Sequence, residues 1–365
     1  MTDMKQILVD LYGARINNIL KSGKLKDLCS YFLKNTSELD RLVSIIKTIA
    51  VCPTQRTPWK GAIPDDSITI QSLADDTLAF YTHLDGLTNN KYNFTQKVLA
   101  QKPYIKIMSD SRSYVSGSST TKDGVTTYTK EIGISNEKLI NNRKTAIHEM
   151  WHSIDEKNLN PTPQKYKNQF LNEIGTLFTE YMSHDFLIEL HKDDPDFKSK
   201  LDYIHTTSRI NSDVEKAREA YLDYLICLLF AGDLKQKQFG EKEIVDNFGI
   251  LWGNIVLDRK LSQLEHIATS NKPFEPMYEG RYIVASAINY TFSKSQLTDK
   301  EKVELMADLN NHLISLDQIN PNGLASDFDI VTTHLGLDNI EQLSHQYANY
   351  ITNINNKLNN QIPTL

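Results

Sequence analysis

Residues 148–152 read His-Glu-Met-Trp-His, and this segment constrains the fold of the chain more than any other. Residues four apart on a helix lie on one face, with Cβ atoms about 5–6 Å apart, so His148 and His152 can both reach one metal ion. Glu149 stands beside the first histidine and can reach a metal-held water without being a ligand itself. The spacing therefore predicts a helix with a zinc site, in which the two histidines are ligands and Glu149 is the general base.

The surroundings of the motif decide between a metal site and an ordinary solvated helix, because a chain of this composition contains such a motif by accident roughly once in seventy cases. Residues 132–134, Ile-Gly-Ile, end a segment of strand composition that comes before the motif helix. A strand followed by a zinc helix is the order expected where a strand lines a cleft above the metal. This context favours the metal site.

A catalytic zinc site has three protein ligands plus water, so a third ligand is needed outside the motif. Glu173 is the candidate on the next predicted helix, because Asn-Pro-Thr-Pro at 160–163 ends the first helix and lets the second fold back. Glu180 lies two turns further on the same face, and carboxylates on an otherwise apolar face require a partner such as a metal or a ligating histidine. Glu180 or Asp155 would orient His152 from behind.

Glu219 is a second candidate for the third ligand. It also has a carboxylate, that of Asp223, one helical turn further on. Glu173 is favoured because it lies on the helix that directly follows the motif. The sequence leaves both glutamates open.

These residues resemble the gluzincin metallopeptidases, which combine the His-Glu-x-x-His motif with a glutamate ligand further along the chain. Within that group, the segments are similar to those of the thimet oligopeptidase and oligoendopeptidase F family, whose glutamate helix carries a second glutamate seven residues after the ligand, as Glu173 and Glu180 do here. That family also has a tyrosine-rich segment that helps hold the substrate carbonyl, and Tyr-Glu-Gly-Arg-Tyr at 278–282 resembles it. The resemblance implies an endopeptidase with one zinc per chain, in which Tyr282 and Tyr278 face the zinc and stabilise the oxyanion.

The resemblance covers residues 146–182 and 276–290, and the chain departs from it in two ways. It is shorter than typical members of that family, and the histidine that precedes their tyrosines has no counterpart, since His266 lies too far upstream. The continuation His-Ser-Ile-Asp at 152–155 resembles instead the protease domain of anthrax lethal factor. A secreted bacterial effector or toxin protease with one protein target is therefore an alternative, and a catalytically inactive zincin-fold interaction module is another.

The charge of the chain gives no support for a nucleic-acid or membrane partner. Its 40 Lys and Arg residues against 46 Asp and Glu residues give a formal net charge of −6, and no basic cluster stands out. The expected partner is a peptide or protein substrate. The N-terminus lacks the apolar core of a signal peptide, and no stretch approaches the roughly 20 apolar residues of a membrane span. The chain is therefore expected in the cytoplasm, or exported without a conventional signal peptide.

The cysteines give no support for a cysteine-ligated metal or a disulfide framework. Cys29, Cys52 and Cys227 are far apart and form no Cys-x-x-Cys pair. This usage is typical of a reducing compartment.

The spacing of apolar residues predicts an α+β fold that is predominantly α-helical. Short strands are expected at 103–108 and 125–134, forming a small sheet above a zinc helix at about 136–157 that Ser135 caps. Helical spacing indicates further helices at 3–50, 68–100, 164–192, 212–231, 241–260, 276–293, 297–316 and 338–357.

The expected architecture is zincin-like, with three parts. Residues 1–50 form a helical N-terminal extension, residues 51–157 an upper subdomain with the sheet and the motif helix, and residues 158–365 a helical lower subdomain with the glutamate ligand and the tyrosines. The cleft between the two subdomains would hold an extended peptide, pairing with an edge strand near 125–134.

Overall fold

Helices make up most of the chain. The structure is a computed structural model that describes residues 4–36, 39–54, 63–101, 104–108, 114–122, 125–135, 137–154, 171, 173–235, 250–270, 274–319 and 325–360. Most of these residues are helical, which confirms the expectation of a predominantly α-helical fold. The helices are α1 (Met4–Leu20), α2 (Gly23–Asn35), α3 (Leu39–Ala50), α4 (Ile70–Leu87), α5 (Phe94–Gln101), α6 (Asn142–Ile154), α7 (Ile174–Leu190), α8 (Phe197–Tyr203) with a π-helical turn (Ile204–Ser208), α9 (Arg209–Ala231), α10 (Ile250–Thr269), α11 (Gly280–Ser293), α12 (Asp299–Ile319), α13 (Ala325–His334) and α14 (Ile340–Asn360).

The N-terminal helices contribute to the main hydrophobic core. Leu42, Ile45, Ile46 and Ile49 recur at helical spacing on α3, and each is at most 1% exposed. This apolar face packs against α9 and α14. The first 50 residues therefore supply part of the core that the described chain shares, and the division into three subdomains stays a prediction.

Three strands, β1 (Tyr104–Met108), β2 (Tyr114–Lys122) and β3 (Val125–Ser135), form one sheet in the order β1-β3-β2. β2 and β3 form an antiparallel hairpin in which Lys122 lies opposite Val125. β1 runs parallel to β3, which is therefore the central strand.

The central position of β3 changes the expectation for peptide binding. Residues 131–135 of β3 pair with β1, and residues 125–133 pair with β2. An edge strand over the whole of 125–134 is therefore wrong, since residues 131–133 have a strand on each side, whereas 125–130 pair with β2 alone among the described strands. Periodicity did not reveal this, because it predicts which residues form strands and not the order in which the strands pair.

The connection from the sheet to α6 is longer than the sequence predicts. Ser135 does not cap the motif helix, because it is the last residue of β3 and pairs with Met108. α6 begins at Asn142, whose side-chain amide donates a 3.0 Å hydrogen bond to the carbonyl oxygen of Ser135. This bond ties the end of the sheet to the start of the motif helix.

The segment expected as one helix at 68–100 is two helices. Asn89 and Asn90 have φ values of 52° and 59°, a left-handed conformation that ends α4. Asp85 then accepts hydrogen bonds from the backbone amides of Phe94 and Thr95 and so caps α5, at 2.8 and 2.7 Å.

Helix α6 lies at the centre of the elements that build the site. It packs against α4, α5 and α7 and against strands β2 and β3, while α7 also packs against α11. The expected helices over 136–157, 164–192 and 241–260 extend into residues 155–170 and 236–249, which lie outside the described residues. Within the described chain, no helix has both the length and the apolar character to cross a membrane.

Candidate metal centre

Helix α6 brings the two motif histidines onto one face. The ring centroids of His148 and His152 are 5.1 Å apart, and the ligand atoms of His148, Glu149 and His152 all lie within 4.8 Å of one another. His148 and Glu149 are only 7% and 8% exposed, so the group lies inside the protein and not on a solvated helix. Tyr81 fixes the helix at this level by donating a 2.9 Å hydrogen bond to the carbonyl oxygen of Ile147.

Glu173 joins the histidines from a neighbouring element. It is 1% exposed, and its Oε2 lies 3.3 Å from Nε2 of His148 and 3.3 Å from Nε2 of His152. Two ligands that share a tetrahedral zinc at about 2.0–2.1 Å are themselves about 3.3–3.4 Å apart. Both distances from Glu173 therefore match the spacing of zinc ligands, and two histidines with one glutamate are a donor set that catalytic zinc uses.

The backbone at Glu173 differs from the mid-helix position that the sequence predicts. α7 begins at Ile174, so Glu173 is its N-cap residue. The hydroxyl of Thr176 donates to Glu173 Oε2 over 3.0 Å, and Asn289 on α11 donates to the carbonyl oxygen of Ile174 over 2.8 Å. These contacts fix both the carboxylate and the start of the helix that carries it.

Gly175 allows α7 to approach α6 closely. A Cβ atom added at this position would overlap the indole nitrogen of Trp151, which belongs to the motif and is 4% exposed. Only a residue without a side chain leaves room for that ring. The glycine therefore sets the separation of the two helices, and with it the distance from Glu173 to the histidines.

Glu180 contacts His148, whereas the sequence predicted a contact with His152. Nδ1 of His148 and Oε1 of Glu180 are 2.7 Å apart, and the other oxygen of Glu180 accepts a hydrogen bond from Arg209 on α9. A carboxylate behind the imidazole fixes the ring so that Nε2 points towards Glu173. The choice of histidine was wrong because the rotation of α7 against α6 depends on how the helices pack. Asp155, the other candidate for this role, lies outside the described residues.

Arg281 belongs to the centre, although the sequence reasoning gave it no role. Its Nε lies 3.3 Å from Glu173 Oε1, the oxygen that does not face the histidines. Its guanidinium also donates to the hydroxyls of Tyr282, at 3.2 Å, and of Tyr278. The signal that could have found it is its place between the two tyrosines in the segment 278–282.

The two tyrosines have different surroundings. Tyr282 is half-buried in the first turn of α11, and the ammonium of Lys216 lies 3.6 Å from its ring centroid. Tyr278 precedes that helix and is 38% exposed. Burial and then the charge of Glu173 raise the pKa of Tyr282 above its usual value, so its hydroxyl stays protonated and able to donate.

His148 and Glu173 hold each other in charged forms. Burial alone raises the pKa of Glu173, but His152 and His148 outweigh it and hold that pKa well below its usual value. Burial lowers the pKa of His148, but hydrogen bonds to Glu173 and Glu180 raise it to about 10. A metal ion would replace that proton, because only the neutral imidazole ligates a metal.

Glu149 differs from the other carboxylates of the centre. Burial is the largest influence on it and raises its pKa, even though His148 and His152 oppose that shift. At Glu180 the charge of Arg209 and the bond to His148 outweigh burial, so the pKa is lowered. Glu149 is thus the carboxyl group suited to take up and release a proton.

Glu219, the rival third ligand, is engaged elsewhere. It accepts a hydrogen bond from Arg259 on α10, and the two side chains are 25% and 60% exposed. The following carboxylate, that of Asp223, lies 2.7 Å from Lys260. The structure brings Glu173, and not Glu219, to the histidines.

Comparisons with known proteins leave the geometry of this centre as the guide to function. No protein-family model, no curated protein and no solved structure matches the chain.

Proposed function

We propose that the chain is a zinc-dependent endopeptidase. One observation carries the proposal: Glu173 Oε2 lies 3.3 Å from Nε2 of both motif histidines, which is the spacing of ligands on a common zinc. The motif that places Glu149 beside these ligands is the one that zinc peptidases use.

The residues of the centre divide the chemistry among them. A zinc ion held by His148, His152 and Glu173 would supply a Lewis acid that polarises the scissile carbonyl and lowers the pKa of water. Glu149 takes a proton from the attacking water and passes it to the leaving amine. Its raised pKa supports this role, because a group that acts first as a base and then as an acid works best when its pKa lies near the operating pH.

The tyrosines and Arg281 act on the oxygen of the scissile carbonyl. Arg281 donates to the hydroxyl oxygens of Tyr282 and Tyr278, so each hydroxyl keeps its own proton for donation. Tyr282 is the principal donor to the developing oxyanion, because it is more buried and its pKa is raised. Tyr278 is the secondary donor.

The wider architecture proposed for this activity is zincin-like. The sheet packs on α6 through β2 and β3, and α7 packs on the same helix and carries Glu173 at its start. A peptide would lie between the sheet and the α7–α11 pair. This arrangement supports a cleft that crosses the motif helix, and the substrate would be a peptide or an extended segment of a protein.

The test is zinc content per chain, measured by mass spectrometry of the metal in wild type, Glu173→Ala and Glu219→Ala. We expect about one zinc in wild type and in Glu219→Ala, and loss of zinc in Glu173→Ala. Glu219→Ala is the matched control, since it removes the same group from the rival position. Zinc kept by Glu173→Ala and lost by Glu219→Ala would reverse the ligand assignment. A wild type that takes up no zinc would contradict the proposal and favour an interaction module.

Substrate breadth separates two kinds of peptidase. A panel of unrelated peptides that is cleaved at many sites indicates a general oligopeptidase. Cleavage of a single protein, with the panel left intact, indicates an effector protease.

A further inference from the structure

A cavity of about 170 Å³ lies beside the metal centre. Glu180 and Tyr282, which belong to the centre, also line this cavity, together with Lys144, Arg209 and Lys216. Its walls come from α6, α7, α9, α11 and the π-helical turn. A ligand group in this cavity would therefore lie beside Tyr282, the residue proposed to donate to the reacting carbonyl.

The acidic groups of the cavity are already engaged. Glu180 uses one oxygen for His148 and the other for Arg209. Asp213 accepts a 2.6 Å hydrogen bond from the hydroxyl of Tyr347, and its other oxygen lies 3.7 Å from Arg209. The oxygens of these two carboxylates are therefore engaged by His148, Arg209 and Tyr347, and neither carboxylate forms an ion pair with Lys144 or Lys216.

Lys144 and Lys216 have no carboxylate partner within ion-pair distance among the described residues. Lys144 is 3% exposed, and its ammonium lies 3.4 Å from Nδ1 of His205. Burial and the neighbouring Lys144 hold the pKa of His205 below its usual value, so this contact is with a neutral ring. The ammonium of Lys216 lies over the ring of Tyr282. Two cations from different walls of one cavity, one of them almost fully buried, favour an anionic ligand, because a buried ammonium group without an ion-pair partner is costly.

We propose that this cavity binds a carboxylate of the substrate between Lys144 and Lys216, and so directs cleavage to peptides with an acidic group close to the scissile bond. The inference rests on the proposed function, since it places the carboxylate beside the metal centre of a peptidase. The carboxylate comes either from an Asp or Glu side chain or from a free C-terminus. Both have the planar pair of oxygens that two ammonium groups can bind through charge-assisted hydrogen bonds.

The experiment measures binding and cleavage separately. Binding uses the Glu149→Gln variant prepared with zinc, so that peptides are not consumed. The probes are fluorescein-labelled octapeptides of alanine and glycine that carry one Glu at each position in turn, the same peptides with Gln, and versions with a free or an amidated C-terminus. Fluorescence anisotropy gives the ratio of affinities within each pair. Cleavage of the same peptides by the wild type tests the proposed function.

We expect at least one Glu/Gln pair, or the acid/amide pair, to differ about tenfold or more in affinity, the scale of a hydrogen bond to a charged group. The pair that differs identifies the source of the carboxylate. Lys144→Met and Lys216→Met, each in the Glu149→Gln background, should bring the ratio close to one. Lys192→Met is the matched control, because it removes a lysine that is exposed and paired with Glu189, and it should leave the ratio unchanged.

The outcomes separate the two proposals. Equal affinities within every pair, no binding of any peptide, or a preference that survives both lysine substitutions would overturn the carboxylate site. If Lys144→Met does not fold, Lys216→Met and the affinity ratios measured with the parent protein still test the carboxylate site. Cleavage without an acidic preference leaves the peptidase and rejects this inference. A carboxylate preference in binding, without any cleavage by the wild type, supports the carboxylate site and rejects the proposed peptidase.

Discussion

Helix α6 carries two clusters of buried ionisable residues, and they differ in how their charges are balanced. At its start, Arg143 is 2% exposed, lies 3.1 Å from Asp65 and forms a second ion pair with Asp76. Asp76 lies 3.1 Å from His191 as well. In this arginine cluster each charged group has an opposite charge beside it, so the cluster is complete without a ligand.

The candidate metal centre begins just over one turn further along the same helix. There Glu173 faces both histidines, and Glu149 is buried beside them with a raised pKa. A proton on an imidazole balances this group only partly, whereas one divalent cation would satisfy all three donor atoms. Buried charge alone therefore does not identify a functional site. A cluster whose charges are all paired stabilises the fold, whereas a cluster with ligand spacing and a carboxyl group of perturbed pKa is a candidate for chemistry.

The substitution expected to change activity most is Glu149→Gln, which distinguishes a role in the chemical step from a role in metal binding. Glu149→Gln should lower kcat for peptide hydrolysis by roughly 10²–10⁴-fold, because the amide can neither take nor return a proton. Zinc content should stay near one per chain. Kinetics and metal analysis on one preparation check this, with Glu219→Gln as the control. Loss of zinc in Glu149→Gln would make Glu149 a ligand.

The arginine cluster should show the opposite behaviour. Arg143→Met leaves Asp65 and Asp76 buried without their cation, and we expect the free energy of unfolding to fall by about 3–5 kcal/mol. The fraction that remains folded should still bind zinc. Denaturant unfolding with zinc analysis of the folded fraction measures both. If Arg143→Met removed zinc without lowering stability, the distinction between the two clusters would fail.

The contact between α6 and α7 tests whether the centre depends on helix separation. Gly175→Ala should lower the free energy of unfolding by about 1–3 kcal/mol, because the new methyl group overlaps Trp151. It should also weaken zinc binding by moving Glu173 away from the histidines. Gly86→Ala in α4 is the matched control: its Cβ would meet nothing within 4 Å, so its stability should be unchanged or higher. Equal behaviour of the two variants would show that Gly175 does not set the spacing.

The smallest expected effect is a pH dependence of the acidic preference. Burial, with the charge of Arg209 added, lowers the pKa of Lys144 to about 8, while Glu180 and Asp185 act in the other direction. Lys144 is therefore charged below pH 8 and neutral above it, so the Glu/Gln preference should decline as the pH rises through about 8. The decline should approach the loss of preference expected for Lys144→Met, which is roughly tenfold.

The ratio of kcat/KM values for one Glu/Gln peptide pair measures this decline, since titration of Glu149 affects both peptides alike. Lys144→Met should show a flat ratio over the same range. A wild-type ratio that rises with pH would contradict the assignment.

Part of the site could be predicted from the sequence, because three of its residues lie close together in the chain. His148, Glu149 and His152 lie within five residues, and the helical repeat alone puts the histidines on one face. An expected chain reversal after the motif helix favoured Glu173 over Glu219 without deciding between them. The predominantly helical fold followed from the apolar spacing, which sums over many residues and tolerates local errors at helix ends.

The errors lie where contacts between distant segments decide the structure. Serine is a residue type that often caps helices, but the pairing of Ser135 with Met108 keeps it in the sheet. Glu180 has a helical period relative to Glu173, but that period does not give the rotation of α7 against α6, which the packing of Trp151 on Gly175 decides.

The two histidines with Glu149 and the predominantly helical fold could be predicted from the sequence, because they depend on residue type and on spacing within single helices. The packing of the helices, in contrast, brings Glu173 rather than Glu219 to the histidines, places Arg281 against the tyrosines, and makes Lys144 and Lys216 line one cavity. These residues come from α6, α9, α11 and the N-cap of α7. No local pattern places them together, because their distances depend on how the side chains of the core pack between the helices.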